Sequence, residues 1–319
     1  MSSSLAAPVR GRSAVSLILA GVLWGTGGLS GNLLAAYGHL HPLAVAAYRL
    51  LLGGACMVLF GWATGRLRRL VRSRPVASRL VLAGALLGQF QACYFVAVSL
   101  TSVSLATMIT IGSVPVCVTV VTAVRARRLP GGATLVSTVA AVAGLALLTW
   151  SPVDGGWQVA GGVAFALLAG VGFATLTMVT ARPVEGLDAL CTTAFGLLIG
   201  GIALVPPGLW FGMALPPRPG VVAVALYLGV VPTGIAYAAY FAGLRTAHPV
   251  VAGLSALLEP LTAVVLSVVL FHDDLGVAGW SGAALLVAAL AVTYTGGAGA
   301  SRGSGRPRIA NGRGSPAKW

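Results

Sequence analysis

The chain has 319 residues, of which 57% are hydrophobic and 8% charged, with a mean hydropathy of +0.94 and a formal net charge of +14. A soluble domain carries about 25% charged residues, so this composition excludes one and describes an integral membrane protein. The net charge would suit nucleic acid, but the basic residues gather in connectors and tails, where a topology signal belongs, and no nucleic acid is expected as a partner.

Residues 1–13 read as a short cytoplasmic tail with Arg10 and Arg12. The apolar run that follows passes through Trp24 and Gly25 to about Ala36, too long for the core of a signal peptide, and it is taken as an uncleaved first span. Hydropathy predicts ten spans, near 14–36, 42–64, 80–100, 103–124, 132–150, 160–181, 187–205, 220–241, 249–270 and 277–295. Two connectors are longer than the rest: 65–79 holds six arginines and 206–219 holds five prolines. Residues 296–319 are rich in Gly, Ser, Arg and Pro and read as a disordered basic tail. Cys56, Cys93, Cys117 and Cys191 all lie inside apolar runs and read as small packing residues; no metal or other cofactor is expected.

With ten spans and the N-terminus inside, 18 of the 20 basic residues fall on the cytoplasmic side. They are two in the N-tail, six in 65–79, Arg125, Arg127 and Arg128, one each at Arg182 and Arg245, and five in the C-tail. Arg218 falls outside and Arg49 within a span. This segregation predicts both termini cytoplasmic.

The chain also repeats itself. Residues 81–126 align without gaps to 226–271 at an offset of 145, matching Phe95 to Tyr240, Thr101 to Thr246 and Pro115 to Pro260. Upstream the offset is 147, where Gly53-Gly54 meets Gly200-Gly201, and then 149, where Trp24 meets Phe173. Residues 14–150 and 151–295 are therefore two five-helix repeats, and an odd number of spans inserts the second copy upside down. The predicted fold is an all-α membrane protein of ten transmembrane helices in two inverted repeats, with a binding site near the midplane between them.

Two charged residues inside spans lack a counterpart in the other copy. Glu259 aligns with Val114 and Arg49 with Gly196. A carboxylate near the bilayer centre costs about 2.5–3.5 kcal/mol on insertion scales, so it belongs against a cavity or a partner. Counting along the helices puts Arg49 ~10 Å and Glu259 ~16 Å below the outer surface, a difference an arginine or a small ligand spans. Glu259 is the candidate for a substrate ammonium or a proton, and Arg49 for a carboxylate. An ion pair between them, or an Arg49 reaching to the outer interface, is the structural alternative. Gln89, Gln91 and Tyr94 on the third span and Tyr237 and Tyr240 on its repeat mate are candidate cavity walls, with Trp24, Asn32 and Tyr48 from the first two. Gly21/Gly25, Gly27/Gly31, Gly84/Gly88 and Gly196/Gly200 read as packing faces.

The two five-helix halves, the Trp24-Gly25 pair, Pro42 followed by Arg49, and the pattern of proline, apolar run, acid-Leu and Gly at the end of each half resemble the EamA-type transporters of the drug/metabolite transporter superfamily, over residues 14–295. The segment around Glu259 and Pro260 is similar to that family's ninth helix, including in members that export amino acids. The first half departs from the pattern, ending Arg125-Ala126-Arg127-Arg128-Leu129 without an acid, and the second has Asp273 where Glu is usual. The resemblance implies a secondary transporter of the plasma membrane that exports a small metabolite such as an amino acid by alternating access. Nucleotide-sugar, drug or lipid-linked carrier transport are the alternatives within the class. The sequence has no phosphate-binding loop for ATP, and Arg49 and Glu259 do not make up an intramembrane catalytic set. The expected partners are a small-molecule substrate and membrane lipid, with a second copy of the chain as a candidate for a homodimer.

Overall fold

The computed structural model describes residues 6–127, 129, 132–148, 156–180 and 182–244, and beyond them 258–263, 265–266, 269, 277–278, 280–282, 284–285 and 288. In lipid, every backbone N–H and C=O must find a partner within the segment, which leaves the helix as the form an apolar run of this length takes. The described residues are accordingly helical, apart from short connectors. The helices are α1 (Ala6–Gly38), α2 (Pro42–Ala63), α3 (Arg74–Leu100), α4 (Val103–Ala126), α5 (Gly132–Leu148), α6 (Trp157–Thr180), α7 (Ala189–Trp210), α8 (Pro219–Gly229) and α9 (Ala236–Leu244). A π turn, Val230–Ile235, joins α8 to α9.

Among the described residues seven segments are long and apolar enough to cross a membrane: Val15–Gly38, Pro42–Ala63, Arg74–Leu100, Leu105–Ala126, Trp157–Thr180, Ala189–Trp210 and Pro219–Tyr240. The expected ninth and tenth spans, 249–270 and 277–295, lie only partly within the described residues, and the tail 296–319 lies outside them.

Three boundaries differ from the hydropathy reading. Helix α1 begins at Ala6, inside the expected polar tail. Helix α3 begins at Arg74, not near 80, because Pro75 occupies its first turn, where a fixed φ suits the helix and the missing N–H costs nothing. Helix α7 runs through Pro206 and Pro207 to Trp210, which shortens the proline-rich connector to 211–218. Proline keeps helical φ, so the loss is confined to two donors in the closing turns.

Helices in lipid gain little from hiding apolar surface, so close packing and polar contacts hold them together. Leu168, Ile202 and Leu209 are exposed on the outer faces, and Trp62, Trp157 and Trp210 are exposed at helix ends, where membrane interfaces favour tryptophan. The core is built from small residues: Ala44, Ala46, Ala47, Ala83, Ala166 and Ala194 are fully buried.

Packing follows the sequence repeat. Helices α2 and α7 pack on each other; α3 packs on α6 and α7, while α8 packs on α1 and α2. Gly54 lies against Leu198, and its mate Gly201 lies against Leu51, the mate of Leu198. Gly200 faces Gly84 and Gly88, and its mate Gly53 faces Gly229 and Thr233, the mates of those two glycines. At the loop side, Arg79 donates from Nη1 to the carbonyls of Val179 and Arg182, satisfying the end of α6.

Candidate functional site

The site starts from α2. Arg49 lies about two turns into that helix and is 7% exposed. Its Nε donates to Thr233 Oγ1 at 3.3 Å. Its guanidinium carbon stands 5.9 Å from the centre of the Phe95 ring, a cation–π arrangement. The terminal nitrogens rest on α1 at Gly27, where a Cβ would meet Nη2 at 3.0 Å and Nη1 at 3.4 Å. Gly27 is thus a seat for the cation, and Gly31 one turn on is a seat for the Phe95 ring.

Thr233 is fully buried in the π turn. Pro232 before it has no N–H to give, and the turn widens to accommodate this. Thr233 Oγ1 donates to Leu228 O at 2.9 Å, five residues back.

Glu259 lies in the helical residues 258–263 and is half-buried. Its backbone touches α1: a Cβ on Gly25 would stand 2.6 Å from Glu259 O and 2.5 Å from Thr262 Cβ. Among the described residues the ion pair is Arg66–Asp188, and Arg49 and Glu259 do not touch. Along α1, Gly25 lies against the Glu259 backbone, Gly27 against the Arg49 guanidinium and Gly28 against the Tyr94 hydroxyl, while Tyr237 packs on Trp24. Arg49, Glu259, Tyr94 and Tyr237 therefore share one interior neighbourhood.

Aromatic rings line it. Trp24 meets Tyr237 edge-on at 5.3 Å between ring centres and Tyr240 at 5.1 Å. Tyr94 packs on Phe95 at 5.3 Å, and its hydroxyl shares a hydrogen bond of 2.8 Å with Thr107. Gln91, one turn before Tyr94, is buried. Two buried polar atoms there have no hydrogen-bond partner among the described residues, Trp24 Nε1 and Gln91 Oε1.

Three of the sequence candidates lie elsewhere. Gln89 turns to α6, donating to Leu168 O at 2.9 Å and to Cys93 Sγ at 3.4 Å, a helix–helix contact. Tyr48 donates to Met213 O at 2.6 Å and ties α2 to the 211–218 connector. Asn32 lines a small cleft with Gly31, Pro42, Phe95 and Val98. Thr233, Phe95 and Gly27 belong to the site and are absent from the sequence candidates. The repeat carried a signal for Thr233: its mate is Gly88, as the mate of Arg49 is Gly196, so one half places a polar pair where the other places two glycines.

A bundle of long apolar helices enclosing a buried cation, an acid and a ring of aromatic side chains defines an integral membrane protein of transporter type. The chain belongs to the EamA-like transporter family, whose sequence profile matches residues 12–150 and 160–295. It is 32% identical over 279 residues to the uncharacterised transporter YwfM of Bacillus subtilis strain 168, covering 86% of this chain and 91% of that protein. A protein of known crystal structure shares the fold, with a TM-score of 0.69 at 21% identity over 89% of this chain and 97% of that one.

Proposed function

We propose that this transporter exports a small metabolite such as an amino acid across the plasma membrane, by alternating access at the cavity between its two repeats. The observation that carries the reading is the shared interior neighbourhood of Arg49 and Glu259, which form no ion pair among the described residues and are walled by Trp24, Tyr237, Tyr240, Tyr94 and Gln91. Charges held inside the bundle at membrane depth and not paired with each other call for partners, and a zwitterionic solute supplies one for each. Glu259 takes the ammonium, or a proton in its absence; Arg49 takes the carboxylate. A two-fold relation between the halves is supported by the exchange of packing partners between mates, Gly54–Leu198 with Gly201–Leu51, and both ends cytoplasmic by the gathering of the basic residues in the connectors assigned to that side.

The test is flux in proteoliposomes loaded with amino acids, nucleosides or organic cations, with and without a pH gradient. Glu259→Gln and Arg49→Ala are expected to abolish amino-acid flux. Normal transport of every accepted substrate by Glu259→Gln at all pH values would refute its central role. Inversion is checked in a cysteine-free background carrying Arg72→Cys or Pro216→Cys, in equivalent connectors of the two halves; labelling from the same side would refute it.

A further inference from the structure

We infer that Thr233 is a positioning residue that aims Arg49, and that the guanidinium so held receives a carboxylate of the substrate. The inference rests on the transport reading above and adds to it the residue that sets anion recognition. Thr233 Oγ1 has a single proton, and that proton is committed to Leu228 O at 2.9 Å. What the oxygen has left is acceptor capacity, and it spends this on Arg49 Nε at 3.3 Å. A regular helix would set the hydroxyl opposite a carbonyl three or four residues back. The π turn Val230–Ile235 sets it opposite one five residues back.

Fixing Nε fixes the plane of the guanidinium. Phe95 covers one side at 5.9 Å, and the bare backbone of Gly27 lets the terminal nitrogens lie flat on α1. The hydrogen bond that Arg49 makes among the described residues is through Nε, which leaves the outer edge of the fork, Nη1 and Nη2, to face a ligand. A planar fork matches the two oxygens of a carboxylate. The other repeat shows that none of this is needed to hold the bundle. There the two positions are Gly88 and Gly196, and α3 and α7 pack directly.

The test is equilibrium binding to the full-length protein in lipid nanodiscs, by calorimetry, using L-leucine and L-phenylalanine, their amides, and inorganic phosphate. Wild type is expected to bind the acids at least about tenfold more tightly than the amides. Thr233→Val should weaken acid binding by about tenfold and leave the amides unchanged, and Thr233→Ser should restore it. Should Thr233→Val fail to fold, Gly27→Ala moves the fork from the other side and should give the same selective loss.

Equal acid affinity in Thr233→Val and wild type overturns the positioning role. Wild type that binds no acid, binds acids and amides alike, or prefers phosphate overturns the carboxylate site. Parallel flux measurements separate this from the broader reading. Cation or nucleoside flux without acid binding leaves a transporter and removes the carboxylate site; selective acid binding without any flux does the reverse.

Discussion

A methyl group on Gly53 would stand 2.8 Å from Thr233 Cβ and closer still to its Cγ2. The glycine is what lets the π turn lie on α2 and bring Thr233 to Arg49, one turn earlier on the same helix. Its mate Gly200 is enclosed by backbone, with a Cβ placed 2.7 Å from Gly84 O and 2.9 Å from Gly88 N. Backbone atoms cannot rotate aside as a side chain can. Gly53→Ala and Gly200→Ala should each destabilise the protein by about 1–3 kcal/mol. The control is Gly61→Ala, whose Cβ meets only the ends of Leu67 and Leu190 at 3.3 Å and which gains helix propensity. Thermal unfolding in detergent should give lower midpoints for the first two variants and an unchanged or higher one for the third.

Asp188 supports α7 in two ways of unequal weight. Its Oδ1 accepts from the Cys191 N–H at 2.6 Å, a helix cap, and its Oδ2 lies 3.6 Å from Arg66 Nη1. The cap contributes about 1 kcal/mol, whereas a solvent-facing ion pair contributes about 0–1 kcal/mol. Asp188→Asn keeps the cap and should fall within about 0.5 kcal/mol of wild type, while Asp188→Ala should lose about 1 kcal/mol. Chemical denaturation of both variants, repeated in the Arg66→Ala background, separates the two contributions. Equal losses for Asn and Ala would assign the effect to the ion pair.

His41 gives the fold a pH dependence at the other end of the bundle. Its Nδ1 accepts from the Leu43 N–H at 3.3 Å, capping α2, and its ring stacks on Phe211 at 4.3 Å. Burial lowers its pKa below the ordinary 6.5. The neutral form is thus favoured in the folded state. Its contribution is complete above about pH 6.5 and is lost as the pH falls through the lowered value. An imidazolium cannot accept the bond and meets the positive end of the helix dipole. The unfolding midpoint of wild type should drop between pH 7 and 5, relative to His41→Asn, which caps at every pH. Parallel pH profiles for the two proteins would remove His41 from this role.

How far the sequence disclosed the structure depends on what each feature requires. Long apolar runs determine the helices, since lipid allows no other form for such a backbone. Arg49 and Glu259 stood out because charge at that depth is costly and because neither has a mate. Thr233 did not stand out, being a small polar residue that helices in lipid carry freely; only its pairing with Arg49, against Gly88 and Gly196 in the other half, marks it. The π turn is invisible to hydropathy, as Pro232 lies in an unbroken apolar run. Pro206 and Pro207 mislead in the opposite sense, since prolines end most helices and α7 continues through these. Gln89 and Gln91 are two residues apart and so point to different neighbours, but periodicity alone does not say which face meets α6.

Trp24 Nε1 is a buried donor without a partner among the described residues, beside Tyr237 and Tyr240 and one residue from the glycine that touches Glu259. An orphaned donor costs about 1–3 kcal/mol, a burden that a ligand acceptor removes when it arrives. Substitution by phenylalanine keeps much of the ring contact and deletes the N–H. If the N–H serves only packing, Trp24→Phe removes an unsatisfied group and affects nothing else. If it greets the substrate, the variant keeps its unfolding midpoint and loses affinity, with KM for the transported solute rising by about 5- to 20-fold. Measured together, a stable protein with raised KM assigns the indole to the cavity. An unchanged KM assigns it to the helix interface of α1 and α9.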